Sequence, residues 1–298
     1  MLVSVVVPTR HRPAPLARAL ASLRAQALPA GVELEIVVID NSERGEVAGA
    51  PDLRVAHEPR PGVAQARNAG VAAARGQWVA FLDDDEEAAP GWLAALVEVA
   101  QATGADAVFG PISARAEVGE IGPFAPYFSR ALAVQDGADI TRLSAYLGTN
   151  NSMFRARALN GGATFDLALN ESGGEDSLLI ERLRRGGARF VYAAGARAVE
   201  WAPARRLNWR YVAKRKFLSG QVRVFVQAMA APRRWDRVAL WMAIGAAQFS
   251  AAGLAALALA PLARPSAQRW RAVAYGGLGK LLWQRGFRPA LYGAGHVS

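Results

Sequence analysis

The chain has 298 residues, a formal net charge of +10, a hydrophobic fraction of 52% and no cysteine. That length suits one large domain plus an appendage. The missing cysteines exclude disulfides, thiolate zinc sites and thiol nucleophiles, and the three scattered histidines (His11, His57, His296) give no spacing for a histidine-built zinc site.

Residues 3–7 form a short β-branched run ended by Pro8, which reads as a buried strand. The N-terminus has no charged leader and its apolar run is too short for a signal peptide. Residues 15–26 place Leu16, Leu20 and Leu23 at helical spacing. Residues 34–39 are a second apolar strand ending at Asp40-Asn41-Ser42, and residues 62–74 are Ala-rich and helical. Residues 78–82 are a third strand, ending at Asp83-Asp84-Asp85. A helix follows over 90–103, stopped by Gly104, and a strand starts at 107–109. Residues 110–147 have weak periodicity and read as irregular connection. Residues 175–185 read as a helix opened by Gly173-Gly174, and 189–192 as a late strand.

Alternating strands and helices predict an α/β domain with a mostly parallel sheet. Ligands of such sheets gather at the carboxyl ends of the strands. Thr9, Asp40 and Asp83 to Asp85 all fall there, which is the first functional pointer in the chain. The consecutive acids Asp83, Asp84, Asp85, Glu86 and Glu87 repel one another unless solvated or bound to a cation. A solvated loop is one reading; an oxygen site for Mg²⁺ or Mn²⁺ bridging two phosphates is the other.

Residues 238–260 are almost wholly apolar and uncharged, long enough to span a bilayer or to lie in its interface. Residues 270–283 suggest a second, shorter membrane-facing segment, interrupted by Gly276, Gly277 and Gly279. Basic residues recur from Arg205 to Arg237, with Asp236 the sole acid. Their place just ahead of the apolar stretch points to a cytoplasmic membrane surface, the inner face of the plasma membrane, more than to a nucleic-acid groove. The domain division expected is 1–220 for the α/β unit and 221–298 for a basic, membrane-associating helical region.

Six blocks carry a family resemblance. Ser4-Val-Val-Val-Pro-Thr-Arg10, Ile36-Val-Val-Ile-Asp40-Asn-Ser42, Arg67-Asn68-Ala-Gly70, Phe81-Leu-Asp-Asp-Asp85, Gly148-Thr-Asn-Asn151-Ser-Met-Phe-Arg155 and Gly174-Glu175-Asp176-Ser-Leu-Leu-Ile-Glu-Arg182-Leu resemble, in order, the family 2 glycosyltransferases. Each block alone is weak, and the order is what makes them specific. The resemblance covers about residues 1–220. It implies a GT-A fold (Rossmann-like, flanking helices on a mostly parallel sheet) and inverting transfer of a sugar from a nucleotide-diphosphate donor to an acceptor hydroxyl.

By the same resemblance, Pro8, Thr9 and Arg10 cradle the nucleotide and Asp40 meets its base or ribose, with a turn or cap role as the alternative for Asp40. Arg67 approaches the donor, or caps a helix; Asn68 is a structural residue. Asp83 and Asp85 form the DxD pair, Asp85 being the direct metal ligand and Asp83 and Asp84 lying toward ribose and metal; Mg²⁺ or Mn²⁺ is the implied cofactor. Asp176 is the general base, with Glu175 the runner-up; a dipole-stabilising role at the helix N-terminus competes for both. Asn151, Glu200, Trp201 and Arg205 are expected toward the acceptor or diphosphate. A histidine that many relatives carry after the late strand is missing, and Glu200 is the oxygen ligand that would stand in for it. The QxxRW block of processive synthases is also missing, which favours single addition. The acceptor suggested by the apolar tail is a lipid-linked glycan in surface-polymer or glycolipid assembly. The competing enzymatic reading is a nucleotidyltransferase, and the non-catalytic one an inactive scaffold.

Overall fold

The computed structural model describes residues 1–159 and 164–284; His296 and the end of the predicted 221–298 region lie outside them. In chain order the elements are β1 (Leu2–Thr9), α1 (Pro13–Arg24), β2 (Glu33–Asp40), β3 (Leu53–His57), α2 (Val63–Ala73), β4 (Trp78–Phe81), β5 (Glu86–Ala88), α3 (Trp92–Thr103), β6 (Ala107–Phe109) and β7 (Ile112–Ala116). They continue with α4 (Ala125–Phe128), β8 (Ser152–Arg155), α5 (Ala156–Leu159), α6 (Glu175–Arg185), β9 (Phe190–Tyr192), β10 (Ala198–Ala202), α7 (Trp209–Met229), α8 (Trp235–Leu259) and α9 (Arg264–Leu281).

Seven strands make the main sheet in the order β3-β2-β1-β4-β8-β6-β9. All neighbours are parallel except β8, which runs antiparallel between β4 and β6. The β-branched strands are buried on both faces, as parallel strands covered by helices must be. Val3, Val5 and Val7 of β1 join one core with Leu16, Leu20 and Leu23 of α1 and Trp92, Leu93 and Leu96 of α3. Val6, Val37 and Ile39 turn to the other core, with Ala64 and Ala66 of α2 and Leu179 and Ile180 of α6. The period of two along each strand therefore divides the apolar residues between two helical layers.

The strand order reverses between β1 and β4. Chain order runs outward from β1 to β2 and β3, then returns to the other side of β1. Such a switch point opens a crevice at the carboxyl strand ends. The register sets Thr9 beside Asp40 and Val6 beside Phe81, so the acid turn after β4 sits next to the end of β1.

A second sheet, β5-β10-β7, stands beside this crevice. The sequence did not signal β3, β5, β7, β8 or β10; most are three to five residues long, too short for periodicity to register. The stretch 110–147, expected to be irregular, contains β7, α4 and a 3₁₀ turn over Thr141–Tyr146.

The basic run is mostly helix α7, and the division expected at 220 falls inside it. Asn208 caps this helix through Tyr211 N–H (2.9 Å), and Trp209 packs on Phe124 and Tyr127. Helix α9 lies against both α7 and α8. Its glycines are a packing surface, which corrects the reading of them as an interruption. A Cβ at Gly279 would come 2.0 Å from the Phe217 carbonyl oxygen of α7, and one at Gly277 2.6 Å from Phe249 N of α8. Helix α8 buries only Val238, Gly245 and Ala252, a seam at heptad spacing. Among the described residues it is the one helix long and apolar enough to cross a membrane.

Candidate active site

One end of the crevice is built from the turn after β4 and the residues after β1. Thr9 Oγ1 donates to Asp84 Oδ2 (2.7 Å). Arg12, at the start of α1, donates to Asp84 Oδ1 (2.5 Å) and Asp85 Oδ2 (3.0 Å). Arg206 reaches back from the turn before α7 to Asp85 Oδ2 (3.2 Å). Burial raises the Asp84 carboxyl to about 7 against the pull of Arg12. Burial acts on Asp85 too, but the Arg12 and Arg206 guanidiniums outweigh it and hold Asp85 below its usual value. Neighbouring carboxylates in one buried turn cannot all ionise freely, and the two arginines decide which one keeps its charge.

Around this turn lies a ring of paired groups. Buried Arg67 of α2 bonds Glu175 of α6 through Nη1 and Asp83 Oδ1 through Nη2 (3.1 Å), linking the acid turn to the start of α6. Burial lifts Glu175 to about 7 despite Arg67. Asp40 accepts from the backbone N–H groups of Ser42 (2.9 Å), Glu46 and Val47 (2.7 Å). Burial works against its charge, but these bonds prevail and its carboxyl is lowered. Asp40 thus organises the loop after β2, the turn role weighed for it. Its neighbour Asn41 ties Glu58 O, Arg60 O and Gly62 N–H together (2.7, 2.8 and 2.8 Å). Pro8 is the penultimate residue of β1, and Arg10 pairs with Glu43 (2.6 Å) on the same loop. Asn68 exchanges two bonds with the Phe165 backbone (2.8 Å each), the structural role expected of it.

The other side of the crevice lies where the small sheet meets α6 and α7. Glu200 of β10 is the register partner of Glu86 on β5, so two buried carboxyls face each other across antiparallel strands. Burial first, then the neighbouring acids, raises Glu200 to about 7 and Glu86 well above its usual value. Asn150 Nδ2 donates to Glu86 Oε1 (2.8 Å), and Arg130 donates to Asn150 Oδ1 (3.1 Å) and O (2.6 Å).

Gly148 keeps this corner open. A Cβ there would lie 2.7 Å from Arg130 Nη1, 3.0 Å from Asn150 Oδ1 and 3.0 Å from Asp176 Oδ2, so three polar side chains converge on one small volume. Asp176 sits in the first turn of α6 after Gly174, whose φ of +94° suits glycine. Its Oδ1 accepts from Ser177 N–H (2.6 Å). Asp176, Glu200 and Arg130 line one end of a cavity of about 370 Å³ that runs on along α7 to Trp241 of α8.

Three expectations are corrected. Asn151 is fully buried at φ +53°, with Oδ1 taken by Trp92 Nε1 (2.6 Å) and Nδ2 by Pro111 O (2.7 Å) and Ala196 O (2.9 Å). It locks the fold, and Asn150 is the residue that faces the site. Trp201 points to the face of β10 opposite Glu200, between Arg18 (5.7 Å) and Arg115 (5.9 Å). Arg205 is exposed while Arg206 engages the acid turn. Sequence reasoning missed Arg12, Arg130, Asn150 and Gly148. Arg12 lies two residues past the block that ends at Arg10 and was within reach; Arg130 carried no signal, since a bridge to Ile112 brings it in from an unpatterned stretch.

Among the described residues no group of three or more His, Asp or Glu side chains forms a metal cage. Mg²⁺ and Mn²⁺ at nucleotide sites need less: one or two carboxylates, with phosphates and waters filling the shell. Asp83 and Asp85 offer hard oxygens from one turn, and the Asp83 side chain keeps 32% of its surface exposed. The donor set fits such an ion.

Residues 4–159 match the family described as glycosyl transferase family 2. The chain is 34% identical over 235 residues to the succinoglycan biosynthesis protein ExoM of Rhizobium meliloti (strain 1021), covering 74% of this chain and 73% of that one. Its fold resembles S. aureus TarS 1-349 in complex with UDP, at a TM-score of 0.53 and 16% identity over 96% of this chain and 92% of that one. The same TarS fragment in complex with UDP-GlcNAc also gives 0.53, at 15% identity over 100% of both chains.

Proposed function

The chain belongs to glycosyl transferase family 2, and from that premise we propose that it is an inverting, metal-dependent enzyme that moves a sugar from a nucleoside diphosphate onto an acceptor hydroxyl during cell-surface polysaccharide assembly. The observation that carries the reading is the convergence of the acid turn and Asp176 on opposite walls of one crevice, joined through Arg67. The succinoglycan role of ExoM and the UDP bound to TarS support the product class and the donor type.

Asp83 and Asp85 would hold Mg²⁺ or Mn²⁺, which when bound neutralises charge on the departing diphosphate. Arg12 and Arg206, now engaged with the acid turn, are the donors a diphosphate would recruit, since guanidinium pairs with phosphate oxygens bidentately. Asp176 accepts the proton of the acceptor hydroxyl as that oxygen bonds to the anomeric carbon. The bond from that carbon to the diphosphate breaks on the opposite face and its electrons leave with the nucleotide, so the centre inverts. Asn150 and Arg130 fix the corner in which the hydroxyl meets Asp176. Glu200 and Glu86, both raised by burial, hold protons more tightly in the donor-free state and would release them as positive charge enters.

The apolar outer face of α8 and the cations at its start support membrane association on the cytoplasmic side, with the acceptor presented from a lipid. The test is binding of UDP, GDP, dTDP and CMP with and without Mn²⁺, on wild type and Asp85→Asn. One nucleoside diphosphate should bind only with metal, and at least about tenfold more weakly to the variant, the scale of one lost charge-assisted contact. No metal-dependent binding of any of the four would refute the donor assignment.

A further inference from the structure

The far end of the cavity holds a charged group the transfer chemistry does not use. Arg223 of α7 lies 4.3 Å over the Tyr146 ring and 5.8 Å over Trp241 of α8. Its Nη1 is buried and has no hydrogen-bond partner, and among the described residues it forms no ion pair with a carboxylate. Arg223 is half-buried, and a cation withdrawn from water is ordinarily paired. The two rings stabilise it through their faces, while its guanidinium lacks the oxyanion partner that arginine otherwise finds in a carboxylate or phosphate.

The same cavity carries carboxyls at its other end, where Asp176 and Glu200 stand with Arg130 beside them. The two ends are mechanically linked. The turn before Asp176 packs on α7 so closely that a Cβ at Gly174 would lie 2.6 Å from Val222 Cγ2, one residue before Arg223. A ligand filling the cavity would therefore meet a proton acceptor at one end and a cation at the other.

We propose that this cavity is the acceptor pocket and that Arg223 binds the phosphate headgroup of a lipid-borne acceptor. The proposal rests on the glycosyl-transfer reading and adds to it the chemical class of the acceptor and the residue that selects it. A lipid source follows from the wall that Trp241 provides. Trp241 belongs to α8, which starts among Arg233, Arg234 and Arg237 and then exposes Leu240, Ile244 and Phe249. Cations and tryptophan giving way to aliphatic residues within two turns mark a membrane–water interface, and a headgroup on Arg223 lies beside that transition.

The test uses the full chain in nanodiscs of zwitterionic lipid. Octyl phosphate, inorganic phosphate and uncharged octyl glucoside are each titrated against wild type, Arg223→Gln and Arg223→Lys, followed by tryptophan fluorescence. Wild type should bind octyl phosphate at least about tenfold more tightly than octyl glucoside, one charge-assisted contact's worth of affinity. Arg223→Gln should lose that preference and Arg223→Lys should recover part of it, with UDP affinity unchanged in both. A preference that survives in Arg223→Gln overturns the anion site. Inorganic phosphate binding as tightly as octyl phosphate overturns the lipid source. Failure of wild type to bind any nucleoside diphosphate while the phosphate preference persists would count against the donor reading, not against Arg223.

Discussion

The two walls of the crevice are satisfied in different ways. On the wall proposed for the donor the carboxylates of the acid turn are already engaged by arginine: Asp83 by Arg67, Asp84 by Arg12, Asp85 by Arg12 and Arg206. On the wall proposed for the acceptor polar groups face one another or open volume: Glu86 opposite Glu200, Asp176 beside the Gly148 gap, and Arg223 with a donor unmet. The donor wall grows from the ends of β1, β2 and β4 in fixed register, where backbone pairing sets each side chain. The acceptor wall is assembled from a three-residue strand, a 3₁₀ turn and one face of α7. On the proposed reading, charge is neutralised in place where an anion would take over the same arginines, and is left partly uncompensated where a neutral hydroxyl would surrender a proton.

That contrast is most directly broken at Asp176. Asp176→Asn keeps the shape and removes the proton acceptor, so kcat should fall by on the order of 10²–10⁴ while UDP affinity stays within about twofold. Steady-state kinetics beside equilibrium binding would check it, and a kcat within about threefold of wild type would move the base elsewhere.

The Glu86–Glu200 pair gives the next largest effect, in stability. The Glu200 carboxyl is raised to about 7 from an ordinary value of 4.5, burial being the main cause. A raised group binds its proton more tightly folded than unfolded, so its contribution is complete below the unfolded value and is lost as pH climbs through the folded one. Donor-free, metal-free protein should therefore lose stability between about pH 4.5 and pH 7, by up to about 3 kcal/mol from this group. Glu200→Gln should flatten that part of the profile in chemical denaturation at stepped pH. An unchanged slope would mean that burial does not raise the Glu200 carboxyl.

The smallest effect separates neighbours. Arg206→Ala should weaken UDP binding by about tenfold, roughly the 1.4 kcal/mol of one charge-assisted contact. Exposed Arg205→Ala should leave the affinity within about twofold. Equal effects on titration would place both in a diffuse surface field and undo the assignment of Arg206 to the donor wall.

Legibility in the sequence divides along the same line. The places of Thr9, Asp40 and Asp83 to Asp85 at the carboxyl ends of strands were legible, because β-branched apolar runs announce themselves, and Arg67 was singled out by its block. Helix α6 was placed at its observed bounds by the glycines before and after it, which put Asp176 at a helix start. Arg130 and Asn150 were not found, since neither patterning nor turn chemistry marks a residue recruited by one bridge and one side-chain bond. Asn151 was misassigned because the sequence of a loop does not say which of two adjacent asparagines turns inward. Trp201 and Glu200 share a strand, and only the pairing of β10 with β5 decided which faces the site.

The sequence by itself determined the α/β class, the crevice at the strand ends, the place of the acid turn beside it and an apolar helix after residue 234. These are local properties: the period of apolar residues, the turn-forming glycines and the clustering of like charge. Only the tertiary structure decided that Arg12 and Arg206 select the charged member of that turn, that Glu86 faces Glu200, and that the basic run folds into a helix with Arg223 turned into a cavity. Those depend on contacts between residues far apart in the chain, where burial and pairing, rather than residue type, set what each charge does.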